Sequence, residues 1–162
     1  MTNVTEPRLT RDSSGDISET VLHEFRKLRD KDAITELTVH YNMAWDDGLT
    51  KEWVGAFTAD GVFAMLDSPD VIGAAALHEF GLSLRDAGFM HTTTDHLIEV
   101  DGNTAKQTCR LILSTKQPGR AIGTSKWVTT GRYTDDLVRT EAGWRFARRY
   151  FVPDAWWATD GQ

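Results

Sequence analysis

Cysteine is nearly missing from this chain of 162 residues: Cys109 is the single one, so no internal disulfide can form and no thiolate pair exists to hold a structural zinc. It sits in the apolar run Cys109-Arg110-Leu111-Ile112-Leu113, where a buried, unreactive thiol is expected. No stretch approaches the ~20 consecutive apolar residues that span a bilayer, and the N-terminus has no apolar signal core. A soluble, cytoplasmic protein without membrane contact is therefore expected. Basic charge is short as well, with 18 Lys and Arg against 24 Asp and Glu for a net charge of −6. Nucleic-acid binding needs a concentrated basic surface that releases counterions, and Arg145, Arg148 and Arg149 are too few to make one, so no nucleic-acid partner is expected. With 40% hydrophobic residues the chain can bury the core of one domain.

Residues 1–15 are polar, contain Pro7 and Ser13-Ser14-Gly15, and show no apolar period, which predicts a flexible tail before a single domain over 16–162. Val21, Leu22, Phe25 and Leu28, then Ile34, Leu37 and Tyr41, recur at three- and four-residue steps, the signature of amphipathic helix. Asp30 could cap a second helical segment at Asp32-Ala33-Ile34. The pattern runs to Trp45 and stops at Asp46-Asp47-Gly48, where the glycine supplies a helix C-terminal turn. Lys51 to Phe57 reads as a short second helix, Phe63-Ala64-Met65-Leu66 as a strand, and Gly73 to about Leu84 as a helix ending near Gly88. The second half is β-rich: His91–Val100, Thr104–Thr115, Ser125–Arg139 and Trp144–Val152. Asp101-Gly102-Asn103, Pro118-Gly119 and Glu141-Ala142-Gly143 supply turns between these runs, and Asp60-Gly61 reads as another turn. Helices first and consecutive strands after them predict an α+β fold with an antiparallel sheet.

Three residues could carry proton chemistry. Asp46 falls where the first helix ends, and a carboxylate there meets the negative end of the helix dipole unless a donor compensates. His91, opening the first long strand, is a natural compensator: a carboxylate that accepts from one ring nitrogen fixes the tautomer and leaves the other as a base. The alternative is a solvated Asp46-Asp47-Gly48 turn and a half-buried histidine. Tyr41 precedes Asp46 by five residues, about 140° around a helix, so the two share a face only if the helix is ending there. His96 follows His91 by five and would face the other side of a regular strand, so His91, Asp95 and His96 do not suggest a metal site. Trp45, Phe63 and Trp127 could line a pocket for a flat or polycyclic apolar substrate, or could be core.

Asp32-Ala33-Ile34, Leu37, Tyr41, Asp46, Phe57-Thr58-Ala59-Asp60-Gly61, Gly73, His91 and Gly143-Trp144-Arg145-Phe146 run in an order that resembles SnoaL-like proteins of the nuclear transport factor 2-like superfamily. The resemblance covers about residues 30–152 and implies a cone-shaped curved sheet packed with helices around a deep pocket. It is similar in Asp46 and His91 to scytalone dehydratase and hexachlorocyclohexane dehydrochlorinase, and in Tyr41 also to bile acid 7α-dehydratase. What it implies is a dehydratase, isomerase or polyketide cyclase acting on a small hydrophobic substrate through His91, Asp46 and Tyr41 without cofactor or metal. The same fold also serves as a non-catalytic binding or partner subunit. The resemblance further implies a homodimer or homotrimer, and an arginine at Arg149 that reaches the pocket, although a surface strand arginine is the plainer reading. Two departures stand out: Thr115 falls near the place of scytalone dehydratase's second pocket histidine, and Leu113 near that of a pocket carboxylate in the bile acid enzyme.

Overall fold

A computed structural model describes residues 19–115 and 126–156. The expected N-terminal tail and the Pro118-Gly119 turn lie outside the described residues. Helix α1 spans Glu19–Asp46 and α2 Thr50–Val54; strands β1 (Phe57–Met65) and β2 (Val71–Ile72) follow, then α3 (Gly73–Leu84). Four long strands complete the chain: β3 (Phe89–Asp101), β4 (Thr104–Thr115), β5 (Trp127–Thr140) and β6 (Gly143–Trp156). They form one six-stranded sheet in the order β2-β1-β6-β5-β4-β3. All neighbours are antiparallel except β1 and β6, which run parallel, so the expected antiparallel sheet has one exception. The parallel pair arises because the α-helical and long-strand segments intervene between β1 and β6 in the chain. Among the described residues no helix is long and apolar enough to cross a membrane.

α1 is one unbroken helix rather than two segments. Asp30 does not cap anything; its carboxylate reaches across to the β5–β6 hairpin, accepting from Arg139 Nη2 at 2.6 Å and from the Trp144 indole at 3.3 Å. The Arg139 hydrogen bond holds the Asp30 carboxyl below the usual carboxylate range. Ile34, Thr38, Tyr41, Asn42 and Ala44 of α1 are buried, whereas Leu22, Phe25 and Leu28 of the expected apolar stripe are not covered by any of the described residues and stand exposed. The helix ends in a Schellman turn: Gly48, at φ +69°, donates to Trp45 O, and Leu49 N–H donates to Ala44 O at 2.8 Å.

The predicted second helix stops at Val54, and Phe57 opens β1, beside Phe146 of β6. Asp60-Gly61 lies inside β1, in the irregular stretch between Phe57 and Val62, and is not a turn between elements. Trp53, Phe57, Leu77, Leu111, Leu137 and Phe146 pack with α1 into the core on the inner face of the sheet. Two of the sheet's register shifts change which side chains of β3 and β6 point into it. One, between Thr94 and Leu97 of β3, centres on Asp95 at φ +56°. The other lies where β5 Asp136 and Leu137 pair with Arg148 and Phe146 of β6, leaving one residue extra on β6.

Candidate active site

The C-terminal turn of α1 brings Asp46 against the start of β3. The Asp46 carboxylate accepts from the His91 backbone N–H at 2.9 and 3.1 Å and from His91 Nδ1 at 2.6 Å. These donors answer the electrostatic problem of a carboxylate at a helix C-terminus. The two side chains are almost closed off from solvent, at 7% exposure for His91 and 11% for Asp46. A carboxylate only accepts, so Nδ1 is the donor of this contact, and the His91 side chain lines a cavity.

That cavity has a volume of about 200 Å³. Tyr41 and Trp45 come to it from α1, Phe63 from β1, Phe80 from α3, His91 from β3 and Tyr133 from β5. Leu113, paired with His91 across the β3–β4 ladder, also lines it, so the position where the bile acid enzyme has a carboxylate is here part of an apolar wall. The Trp45 ring meets His91 edge-on at 5.9 Å and Trp53 edge-on at 4.5 Å, packing the imidazole against the core. Tyr41 is 1% exposed; burial pushes its phenol up to about 12, with the charge of Arg149 pulling the other way. It stays a neutral hydrogen-bond donor throughout the physiological range.

The structure thus gathers Tyr41, Trp45, Phe63 and His91 around one cavity, with Asp46 behind His91. Trp127 is not with them: it opens β5 beside Ser114, is 60% exposed and lies outside the cavity lining. Arg149 matches neither expectation. It is fully buried, because the extra residue on β6 turns it inward after Phe146, yet it does not reach the cavity. Its guanidinium lies 3.3 Å from the equally buried Asp135 and stacks on the rings of Tyr133 at 3.9 Å, Tyr41 at 4.2 Å and Phe146 at 4.5 Å. Burial lifts the Asp135 carboxyl above its ordinary range, against the pull of Arg149 and of Gln107, which donates to it at 2.8 Å.

The β3 register shift also overturns the expectation for His96. Strict alternation would point it away from His91, but the extra residue at Asp95 returns it to the same face, where Nδ1 meets Gln107 Oε1 at 3.2 Å. Asp95 pairs instead with Arg110, so His91, Asp95 and His96 do not converge. Tyr133, the Asp135–Arg149 pair and Gln107 were not singled out from the sequence. A period-two reading of β5, in which Gly131, Tyr133, Asp135 and Leu137 share a buried face, carries the signal for the first two.

Residues 26–150 match the SnoaL-like domain family. The sequence matches no curated protein. Among solved structures, an NTF2-like protein with a cystatin-like fold from Novosphingobium aromaticivorans is similar at 23% identity and TM-score 0.72, covering 93% of this chain and 92% of its own. A Mycobacterium tuberculosis protein of unknown function is similar at 26% identity and TM-score 0.70, over 85% of this chain and 76% of that one. A Novosphingobium aromaticivorans protein provisionally named a scytalone dehydratase aligns at 18% identity and TM-score 0.69, over 89% and 93% of the two chains, which is a likeness of fold.

Proposed function

From the premise that this chain belongs to the SnoaL-like family, we propose that it is a lyase that dehydrates a hydrophobic hydroxy-carbonyl compound by proton transfer at His91. The observation that carries this reading is the Asp46–His91 contact of 2.6 Å, with Asp46 behind a His91 that lines an apolar cavity. A histidine whose Nδ1 is held by a buried carboxylate presents Nε2 as a base, and Asp46 stabilises the imidazolium that forms. Asp46 and His91 separated on the surface would have favoured a non-catalytic scaffold; their enclosure favours catalysis.

In the proposed reaction His91 Nε2 removes the proton from the carbon beside the substrate carbonyl. The electron pair moves onto the carbonyl oxygen, and Tyr41 donates a hydrogen bond to the enolate. As the enolate collapses, the bond from the β-carbon to its hydroxyl breaks, and the imidazolium returns its proton to the departing oxygen. The products are the unsaturated carbonyl compound and water, with no change in oxidation state and no cofactor needed for the proton transfers. Without a β-hydroxyl the same abstraction yields isomerisation or, with an internal carbonyl, ring closure.

The test is product analysis by mass spectrometry with wild type and His91→Gln on a panel of β-hydroxy ketones. Loss of one water from a substrate, slowed on the order of a hundredfold or more by His91→Gln, is the expected result. Turnover that His91→Gln leaves unchanged removes the base from the reading.

A further inference from the structure

Toward its N-terminus, the face of α1 that turns to the core changes character. Ile34, Leu37 and Tyr41 make it apolar further along, whereas one to three turns earlier the same face carries His23, Arg26, Lys27 and Asp30. This end of the helix stands over the tips of the β3–β4 and β5–β6 hairpins. Between them runs a cleft lined by Arg26, Lys27, Arg29 and Arg139, with Asp30 as the one carboxylate among the described lining residues. Four permanent cations against one anion thus gather in a chain whose net charge is −6. Val100, which lines the cleft, lies along β3 from His91 by about 30 Å at the rise of a strand, so the cleft is separate from the cavity that His91 lines.

The lining charges do not satisfy one another. Both oxygens of Asp30 are already taken, Oδ2 by Arg139 Nη2 at 2.6 Å and Oδ1 by the Trp144 indole at 3.3 Å. Asp30 follows Arg26, and Asp32 follows Arg29, at helical spacing, yet neither arginine makes an ion pair with any described residue. Lys27 meets Glu24 at 3.6 Å, but both side chains are exposed and such a contact contributes little.

Across the cleft, Arg139 is held in place. Its Nε donates to Asn103 Oδ1 at 3.2 Å, its backbone N–H donates to Asn103 O at 2.8 Å, and its guanidinium lies over the Trp144 ring at 4.4 Å. With Nη2 on Asp30, Nη1 is left without a hydrogen-bond partner among the described residues. A guanidinium fixed in this way presents its remaining N–H groups with little side-chain freedom left to lose on binding. A helix end that serves only to face water has no use for such a fixed cation opposite it.

We propose that this cleft is a second binding site, which takes a small molecule through its phosphate or diphosphate group. A carboxylate offers its lone pairs in one plane and suits one arginine. A phosphate directs its oxygens several ways at once, toward Arg26 and Arg29 on α1 and toward Arg139 on β5. Four cations in a net-acidic chain suit a small anion rather than a nucleic-acid backbone, which needs an extended basic surface. Nothing in this site depends on His91, so it stands or falls apart from the proton-transfer reading.

The experiment is calorimetric titration of the full chain, in low salt, with inorganic pyrophosphate and with citrate, whose similar charge separates recognition of phosphate from attraction of any anion. The Trp144 indole N–H is followed in parallel by nitrogen-15 NMR. Pyrophosphate is expected to bind with a Kd below about 1 mM, several-fold more tightly than citrate, and to shift the Trp144 signal. Arg26 and Arg29 are exposed, so Arg26→Gln/Arg29→Gln leaves the core intact; it is expected to weaken pyrophosphate at least about tenfold. Arg110→Gln/Arg132→Gln removes the same charge from two exposed arginines paired across β4 and β5, and is expected to change the affinity by less than about twofold. Absence of binding overturns the proposal, as does citrate binding as tightly as pyrophosphate. Equal weakening by the two double variants, or a Trp144 signal that pyrophosphate leaves in place, overturns it as well.

Discussion

At the scale of single residues, Tyr41 and the Asp135–Arg149 pair affect activity and stability in opposite proportions. Tyr41→Phe removes the donor proposed for the enolate while keeping the ring contacts with Trp53, Phe57 and Phe146. A hydrogen bond to a charged oxygen contributes about 1.5–3 kcal/mol, so kcat is expected to fall roughly tenfold to a hundredfold with thermal stability almost unchanged. Steady-state kinetics beside a melting curve separates the two. Arg149 and Asp135 have the opposite balance, since neither touches the cavity and both are fully buried. Arg149→Met is expected to cost about 3–5 kcal/mol by leaving Asp135 unpaired, and adding Asp135→Leu to recover most of it. Urea unfolding of the single and double variants measures this; a double variant no more stable than the single would show that the pair stabilises the fold beyond neutralising its own charges.

The elements were legible in the sequence to different degrees, and the reasons are physical. The end of α1 was readable because Asp46-Asp47-Gly48 carries its own conformational instruction, and Gly48 adopts the left-handed geometry expected of it. The strand spans of β3 and β4 followed from their runs and from the turn at Asp101-Gly102-Asn103. The inward faces beyond each register shift were not readable. Alternation gives the wrong face for His96 and Arg149, because the one extra residue in each strand is set by the register with its hairpin partner, which period-two counting along a single strand does not carry. Asp46 and His91 could be named as candidates, but only the fold brings residues 45 positions apart into contact. Close approaches between elements are equally silent in sequence. A Cβ on Gly131 of β5 would come within 2.5 Å of the Phe151 ring and of Val152 O, and Phe151 lines the cavity. Gly131→Ala is accordingly expected to destabilise the fold by about 1–3 kcal/mol. Chemical unfolding of the variant beside the wild type checks this.

For the whole molecule, the buried ionisable groups predict how stability changes with pH. Burial raises Tyr41 from 10.0 to about 12 and Cys109 from 9.0 to about 11. Both groups hold their protons in the folded state after the unfolded chain has released them. Their contribution is therefore fully present below pH 9 and is lost as pH rises toward 11 for Cys109 and 12 for Tyr41. At about 1.4 kcal/mol per pH unit for each group, a loss of a few kcal/mol is expected by pH 11. Urea midpoints at pH 8 and pH 11 give the comparison, and Tyr41→Phe is expected to flatten the decline above pH 10.

The central claim is that the end of α1, through Asp46, holds the proton of His91 on Nδ1 and leaves Nε2 as the base inside the cavity. Nitrogen-15 NMR of the imidazole tests this without any substrate. The account predicts a neutral ring protonated at Nδ1 with an unprotonated Nε2, and loss of that preference in Asp46→Ala. A proton found on Nε2, or a spectrum that Asp46→Ala leaves unchanged, would contradict it.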